Sequence, residues 1–165
     1  MSEFCVVNEQ DEILRYDSKE NIARKEIYRV AALWISNSEG KILLARRAIT
    51  KTHNPGQWGP SAAGTVEKGE TYESNIIKEA EEELGLKNIK PAKGPKFLRD
   101  DNKRRHFTQW FFLTLNKPES YFTLQEEEVA EVRWFTKKEL EQEIEKHPED
   151  FLPNMKSNLE KFSVI

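Results

Sequence analysis

The sequence predicts an α/β domain in which a mixed β-sheet is covered by helices. Three observations indicate this class: short β-branched and aromatic segments bounded by turn residues, one long helical segment between them, and helical segments near the C-terminus. This order of elements is typical of a sheet packed between helices. The chain has 165 residues, so we expect one domain (residues 1–165) with its own core.

The first half of the chain contains mainly strand segments. We expect an N-terminal hairpin over about residues 4–15, around polar residues. The apolar residues 28–36 and 41–46 are predicted to pair as a second hairpin, because residues 37–40 have turn composition. Residues 48–64 contain five Gly and Pro residues and are predicted to form a loop with short extended pieces.

The best-specified element is a helix over residues 71–84, which contain neither Gly nor Pro. Thr71 can cap its first turn, and Gly85 can adopt the left-handed conformation after its last turn. An apolar arc on this helix is expected to be buried. It consists of Ile76, Ile77, Ala80 and Leu84.

The C-terminal half contains two further strand candidates and two helices. Residues 107–115 are rich in aromatic and β-branched side chains, and residues 131–135 alternate between polar and apolar. Thr136 can cap a helix over residues 137–146, and a last helix is expected over about residues 154–162.

Composition excludes several classes of function. A formal net charge of −3 gives no reason to expect a nucleic-acid partner. One cysteine, Cys5, and three histidines cannot form an internal disulfide or a tetrahedral zinc site. No apolar segment approaches the roughly 20 residues of a membrane span, and the N-terminus lacks a signal-peptide pattern. We therefore expect a cytoplasmic protein without a membrane partner.

Three carboxylates, Glu79, Glu82 and Glu83, occupy the helical arc beside the apolar one, because they are spaced i, i+3, i+4. Such charges repel by a few tenths of a kcal/mol per pair even in solvent. Mg²⁺ would remove this repulsion, since it prefers oxygen ligands and is often completed by substrate phosphates. On the helix alone, an exposed Glu-rich face is an equally good interpretation, because the chain contains 24 Glu.

Residues 64–86 resemble the Nudix box, G-x5-E-x7-R-E-U-x-E-E-x-G-U, in which U is aliphatic. Two positions depart from this pattern: Lys78 replaces the box arginine, and Ala80 replaces a bulkier aliphatic residue. The lysine keeps the charge but loses the planar bidentate fork. The matching positions are Gly64, Glu70, Glu79, Glu82, Glu83, Gly85 and Leu86.

The resemblance implies a Nudix fold, an α/β/α sandwich, and a pyrophosphohydrolase. In this family the carboxylates that match Glu79, Glu82 and Glu83 hold Mg²⁺ or Mn²⁺, often with the main-chain carbonyl that matches Gly64. Lys78 is expected to orient Glu79 rather than to contact substrate. The implied substrate is a small-molecule diphosphate, such as a nucleoside diphosphate linked to another moiety.

Residues 45–64 resemble the isopentenyl-diphosphate isomerase branch and the bacterial Nudix hydrolases related to it. In the isomerases, the residues that match Arg47 and Lys51 grip the diphosphate, a role that suits an Arg fork and a Lys point charge. The isomerase also needs a cysteine where this chain has Ala63, and two of its histidines fall on Tyr28 and Thr65. Isomerase activity is therefore disfavoured, and a non-catalytic nucleotide-binding module is a further alternative.

Several other features are open to two interpretations. One of Glu126, Glu127 and Glu128 could supply the general base, or the three could form an acidic turn. Residues 100–105 could place cations at the mouth of a pocket or form a solvated turn. The sequence indicates neither the number of metal ions nor whether the protein is a monomer or a homodimer. Four aromatic residues could stack on a nucleobase or lie in the core: Trp58, Phe107, Trp110 and Trp134.

Overall fold

The computed structural model describes residues 1–162, and in this range nine strands form one mixed sheet. The strands are β1 (Phe4–Val7), β2 (Ile13–Asp17), β3 (Ile27–Ser36), β4 (Ile42–Arg47), β5 (Trp58–Gly59), β6 (Ala62–Thr65), β7 (Ala92–Asp100), β8 (Arg105–Thr114) and β9 (Val129–Phe135). The helices are α1 (Tyr72–Leu84), α2 (Lys137–Lys146) and α3 (Met155–Phe162). No helix in the described range is both long enough and apolar enough to span a bilayer.

Strand β3 is at the centre of the sheet. It runs antiparallel to β1, β4 and β6 and parallel to β8, while β9 extends the sheet beyond β4. Its apolar side chains alternate between two cores, as strand geometry requires. Leu33 and Ile35 belong to the core that contains α1, whereas Ala32 and Trp34 belong to the core that contains α2 and α3. The α/β/α arrangement predicted from the sequence is therefore confirmed.

Helix α1 has the ends that its sequence predicts. The Thr71 side chain accepts a hydrogen bond from the Ser74 main-chain N–H, and Gly85 closes the helix at φ 71°. Three residues of the apolar arc, Ile76, Ala80 and Leu84, are fully buried. Ile77 is only half-buried, and the buried polar residue Asn75 lies beside the arc instead, where it donates to the Thr65 carbonyl at 3.1 Å.

Asp11, in the turn between β1 and β2, adds side-chain contacts to the pairing of β1 with β3. This residue has a left-handed backbone conformation (φ 61°), and its side chain is only 7% exposed. Its carboxylate accepts hydrogen bonds from Arg29 at 2.7 Å, Lys96 at 2.8 Å and the Tyr72 hydroxyl at 2.9 Å. One buried carboxylate thus ties the hairpin to β3, β7 and the start of α1.

Strand β7 was not expected from the sequence. It contains Gly94 and Pro95, and its register with β8 is irregular between Lys93 and Lys96. A strand that pairs on one side only can tolerate proline and lysine, because half of its backbone groups do not enter the ladder. Strand β9 also begins earlier than predicted, at Val129.

Candidate active site

The loop before α1 and the helix itself place Glu79 against a glycine backbone. A Cβ atom added to Gly64 would lie 2.4 Å from Cγ and 2.8 Å from Oε1 of Glu79. A contact under 3.0 Å is too close for a carbon atom, so a side chain at position 64 would displace this carboxylate. The glycine is therefore required by the close approach of Glu79 to β6.

Glu83 lies one helical turn further along and also faces β6. Its Oε1 accepts a hydrogen bond from the main-chain N–H of Ala63 at 3.3 Å. Burial is the main cause that raises the pKa of Glu83 to about 8, with repulsion from Glu79 and Glu128 adding to it. Two acidic side chains of α1 thus point at consecutive residues of one strand.

Glu79 shares this environment, whereas Glu82 does not. Burial and repulsion from Glu82, Glu70 and Glu128 raise the pKa of Glu79 to about 7, against the attraction of Lys78. Glu82 is exposed to solvent. A pair of carboxylates that are reluctant to ionise, with a third at the solvent edge, suits the recruitment of a cation.

The three carboxylates do not converge as tightly as ligands around a single ion. Within residues 1–162, the one group of three ligand atoms that all lie within 4.8 Å of one another is His147, Glu149 and Asp150. All three residues of this group are exposed, and Nδ1 of His147 lies 3.7 Å from a carboxylate oxygen of Glu149. The spread of the acidic face of α1 is the arrangement that repulsion between like charges favours.

Lys78 pairs more closely with two other carboxylates than with Glu79. Its Nζ lies 2.7 Å from carboxylate oxygens of both Glu67 and Glu70, but 3.8 Å from Glu79. Burial opposes its charge, but the hydrogen bonds to Glu67 and Glu70 raise the pKa of Lys78 overall. Lys78 therefore links the loop before α1 to the helix, and Glu67 is a partner that the sequence pattern did not indicate.

Among the three acidic candidates outside α1, only Glu128 faces the site. Glu126 and Glu127 are exposed, whereas Glu128 is half-buried and forms an ion pair with Lys51. Glu128 also contributes to the raised pKa of both Glu79 and Glu83. The positive charge of Lys51 is therefore paired with the negative charge of the Glu128 carboxylate.

Arg47, the other expected phosphate ligand, lies beside the same carboxylates. Its Nε donates to the main-chain carbonyl of His53 at 3.1 Å, which fixes the guanidinium against the loop. Burial and the positive charge of Arg104 lower the pKa of Arg47, while Glu128 and Glu83 oppose this effect. Arg47 therefore lies between the acidic site and a second group of cations.

The four aromatic candidates for base stacking are core residues. Trp58, Phe107 and Trp110 are each less than 9% exposed. Trp134 packs at the edge of the core, where its Nε1 donates to the Lys117 carbonyl at 2.8 Å. The first three are therefore covered by other side chains, and Trp134 is half-buried with its indole N–H used within the fold, so a stacking role has no support.

The structure gives no support to isomerase chemistry either. Cys5 lies in β1 and is 1% exposed, and its Sγ is 3.9 Å from the Glu67 carbonyl. Ala63, Tyr28 and Thr65, which the resemblance matches to the functional cysteine and histidines of an isomerase, carry neither a thiol nor an imidazole.

Comparison with known proteins agrees with this architecture. A family model of the NUDIX domain matches residues 26–155. The Nudix hydrolase YfcD of Escherichia coli is 33% identical over 136 residues, which cover 82% of this chain and 74% of that protein. A Nudix hydrolase of Listeria monocytogenes is 34% identical over 143 residues, which cover 86% of this chain and 83% of that protein.

A solved structure matches the fold as a whole. The crystal structure of DR0079 from Deinococcus radiodurans has a TM-score of 0.81 and 21% identity, and the match covers 96% of this chain and 98% of that one. At this identity the likeness concerns the fold alone. The sequence relationships carry the assignment: the chain belongs to the Nudix hydrolase family and is a pyrophosphohydrolase.

Proposed function

We propose that this protein is a Mg²⁺- or Mn²⁺-dependent hydrolase of a diphosphate bond in a nucleoside-diphosphate-type or related small organic substrate. The observation that carries the proposal is the orientation of Glu79 and Glu83. Both carboxylates are withdrawn from solvent and face β6 at Gly64 and Ala63, and burial raises the pKa of each to about 7 and 8.

The donor set fits a hard divalent cation. Glu79, Glu82 and Glu83, with the main-chain carbonyl of Gly64, would offer only oxygen ligands, which Mg²⁺ and Mn²⁺ prefer. Two buried carboxylates near a third are costly when ionised, and a dication offsets that cost. A bound divalent ion supplies charge neutralisation for the diphosphate and lowers the pKa of an attacking water.

The neighbouring side chains have roles that follow from their positions. Arg47 and Lys51 would hold substrate phosphates, with Lys51 exchanging its ion pair with Glu128 for a phosphate oxygen. Released in this way, Glu128 would be free to accept the proton of the attacking water as general base. Lys78 would act as a positioning residue, because it holds the loop before α1 through Glu67 and Glu70.

The test is a product-release assay over a panel of diphosphate compounds, with Mg²⁺, with Mn²⁺, and with a chelator. We expect turnover only with a divalent ion, and a loss of at least about 100-fold in Glu82→Gln, because phosphoryl transfer depends chiefly on charge stabilisation. Glu81→Gln is the matched control, since Glu81 is also an exposed glutamate of the same helix.

Turnover that persists in the chelator, or Glu82→Gln and Glu83→Gln proteins that both retain full activity, would contradict the proposal. Binding of nucleotides without any turnover in either metal would instead identify a non-catalytic module.

A further inference from the structure

A cleft of about 220 Å³ adjoins the acidic site. The two are connected through Arg47, whose Nε donates to the main-chain carbonyl of His53, a residue of the cleft wall. Phe4, Ile22 and Ala23 give the cleft an apolar side, and the turn between β7 and β8 gives it a cationic side. It is therefore placed to receive the part of a substrate that extends away from the hydrolysed bond.

The charges that line this cleft are strongly unbalanced. Five cationic residues line it, against one carboxylate, Glu26, which is itself paired with Arg15. The cationic residues are Lys19, Arg24, Lys103, Arg104 and Arg105. An excess of one charge sign in a concave site attracts ligands of the opposite sign.

Two of these cations have structural partners. Arg24 donates to the main-chain carbonyls of Asp101 and Asn102 at 2.7 and 2.8 Å and so fastens the turn. Arg105 is paired with Glu9 and Asp100 at 3.1 and 3.2 Å. Arg24 and Arg105 therefore have structural roles that do not require a bound ligand.

Arg104 has no such acidic partner: in the part of the chain that the structure describes, the ion pairs of this turn use Arg99 and Arg105. Arg104 is half-buried and lies near the Tyr28 hydroxyl, where its positive charge opposes the burial that raises the pKa of Tyr28. The Tyr28 ring in turn contacts that of His106, with centroids 5.1 Å apart. The guanidinium therefore lies beside an uncharged ring, and the side-chain ion pairs of this turn in residues 1–162 do not include it.

The cationic region continues from the cleft to the acidic site. Burial, followed by the charges of four cations, lowers the pKa of His53, which also lines the cleft. Those cations are Lys19, Arg104, Arg47 and Lys103. Arg47, which is hydrogen-bonded to the His53 carbonyl, interacts electrostatically with Arg104 of the cleft and with Glu83 and Glu128 of the acidic site.

We propose that this cleft is a phosphate-binding subsite in which Arg104, assisted by Lys103, binds a phosphate group carried by the substrate outside the hydrolysed diphosphate. A guanidinium fork binds phosphate oxygens in pairs, and the apolar side of the cleft suits the carbon skeleton that carries the phosphate. This inference rests on the proposed function of the neighbouring site. It narrows the substrate class to diphosphates with an additional phosphomonoester.

The direct test is a titration of the ¹⁵N-labelled full chain with inorganic phosphate, with and without Mg²⁺, followed by amide chemical shifts. We expect saturable shifts at residues 22–24, 65 and 103–106, which are lost in Arg104→Gln and largely retained in Arg104→Lys. Lys138→Gln is the control, because Lys138 is an exposed cation on α2, a helix that contributes no residue to the cleft wall. Absence of shifts in these segments, or the same shifts in Arg104→Gln, would overturn the inference.

A kinetic arm uses ADP-ribose and ADP-ribose 2′-phosphate, which differ by one phosphomonoester. One charge-assisted contact predicts a preference in kcat/KM of about tenfold or more for the phosphorylated compound. Arg104→Gln should remove this preference and leave cleavage of ADP-ribose nearly unchanged. If neither compound is cleaved with either metal, the proposed function fails for ADP-ribose-type substrates. The phosphate titration still shows whether the cleft binds phosphate. Equal kcat/KM for both compounds would count against the subsite alone.

Discussion

Glu83→Gln should make the metal-free protein more stable at alkaline pH while it removes activity. The carboxylate of Glu83 is buried against β6 and accepts one hydrogen bond, from the Ala63 N–H. The glutamine side chain has the same shape and retains an oxygen that can accept this bond. The substitution therefore removes a buried charge with little change in packing.

The magnitude follows from the pKa of the carboxyl group. It is raised from 4.5 to about 8 in the folded protein, so folding favours the protonated form. The associated stability is fully present below pH 4.5 and is lost as the pH rises through 8. At about 1.4 kcal/mol per pH unit, ionised Glu83 costs the metal-free protein about 3–5 kcal/mol at pH 8.5.

The assay is urea unfolding of the metal-free wild type and variant at pH 5 and pH 8.5. We expect similar stability at pH 5 and a variant that is more stable by about 3–5 kcal/mol at pH 8.5. Added Mg²⁺ should stabilise the wild type more than the variant, and Glu81→Gln should behave as the wild type throughout. A variant that is less stable than the wild type at pH 8.5 would refute the reasoning that burial sets this pKa.

Three other substitutions test separate parts of the structure. Gly64→Ala should lower kcat/KM by about 100-fold, because its Cβ would displace Glu79, whereas the secondary structure seen by circular dichroism should not change. Glu128→Gln should lower kcat by about 10²–10⁴-fold, as loss of a general base does, while Glu126→Gln should keep wild-type turnover. Asp11→Asn should lower the free energy of unfolding by about 3 kcal/mol at pH 7, because it leaves three donors without their shared charge. Its three hydrogen-bond partners lower the pKa of Asp11 against the opposing effect of burial, so this difference should shrink as the pH falls below 3.8.

Helix α1 could be predicted from the sequence because its determinants are local. Its cap, its C-terminal glycine and the three-and-four spacing of its apolar and acidic residues all act within a few turns. The same spacing makes the acidic face and the family resemblance recognisable from the amino-acid sequence alone. The position of Asn75 is not recognisable in this way, because its burial depends on an acceptor in β6.

The parts of the fold that the sequence did not predict depend on distant contacts. Strand β7 lacks an apolar alternation because it pairs only with β8, so its pattern resembles that of a loop. Glu128 could not be separated from its two acidic neighbours, since only its proximity to Lys51 distinguishes it. Likewise, the role of Arg104 depends on a tyrosine 76 positions earlier in the chain, which β3 and β8 bring beside it.

The orientation of the acidic pair is imposed by the core and does not require a cation. Ile76, Ala80 and Leu84 are fully buried against the sheet, so α1 cannot rotate to carry Glu79 and Glu83 into solvent. The burial of these two carboxylates and the repulsion from neighbouring carboxylates therefore persist in the folded protein, and both raise the pKa values of Glu79 and Glu83. Because a cation can bind only the ionised carboxylates, its binding must release protons near neutral pH, and its affinity must increase as the pH rises. Binding of the proposed divalent ion to this pair would therefore link proton release to a gain in stability, and the packing of a single helix would set both.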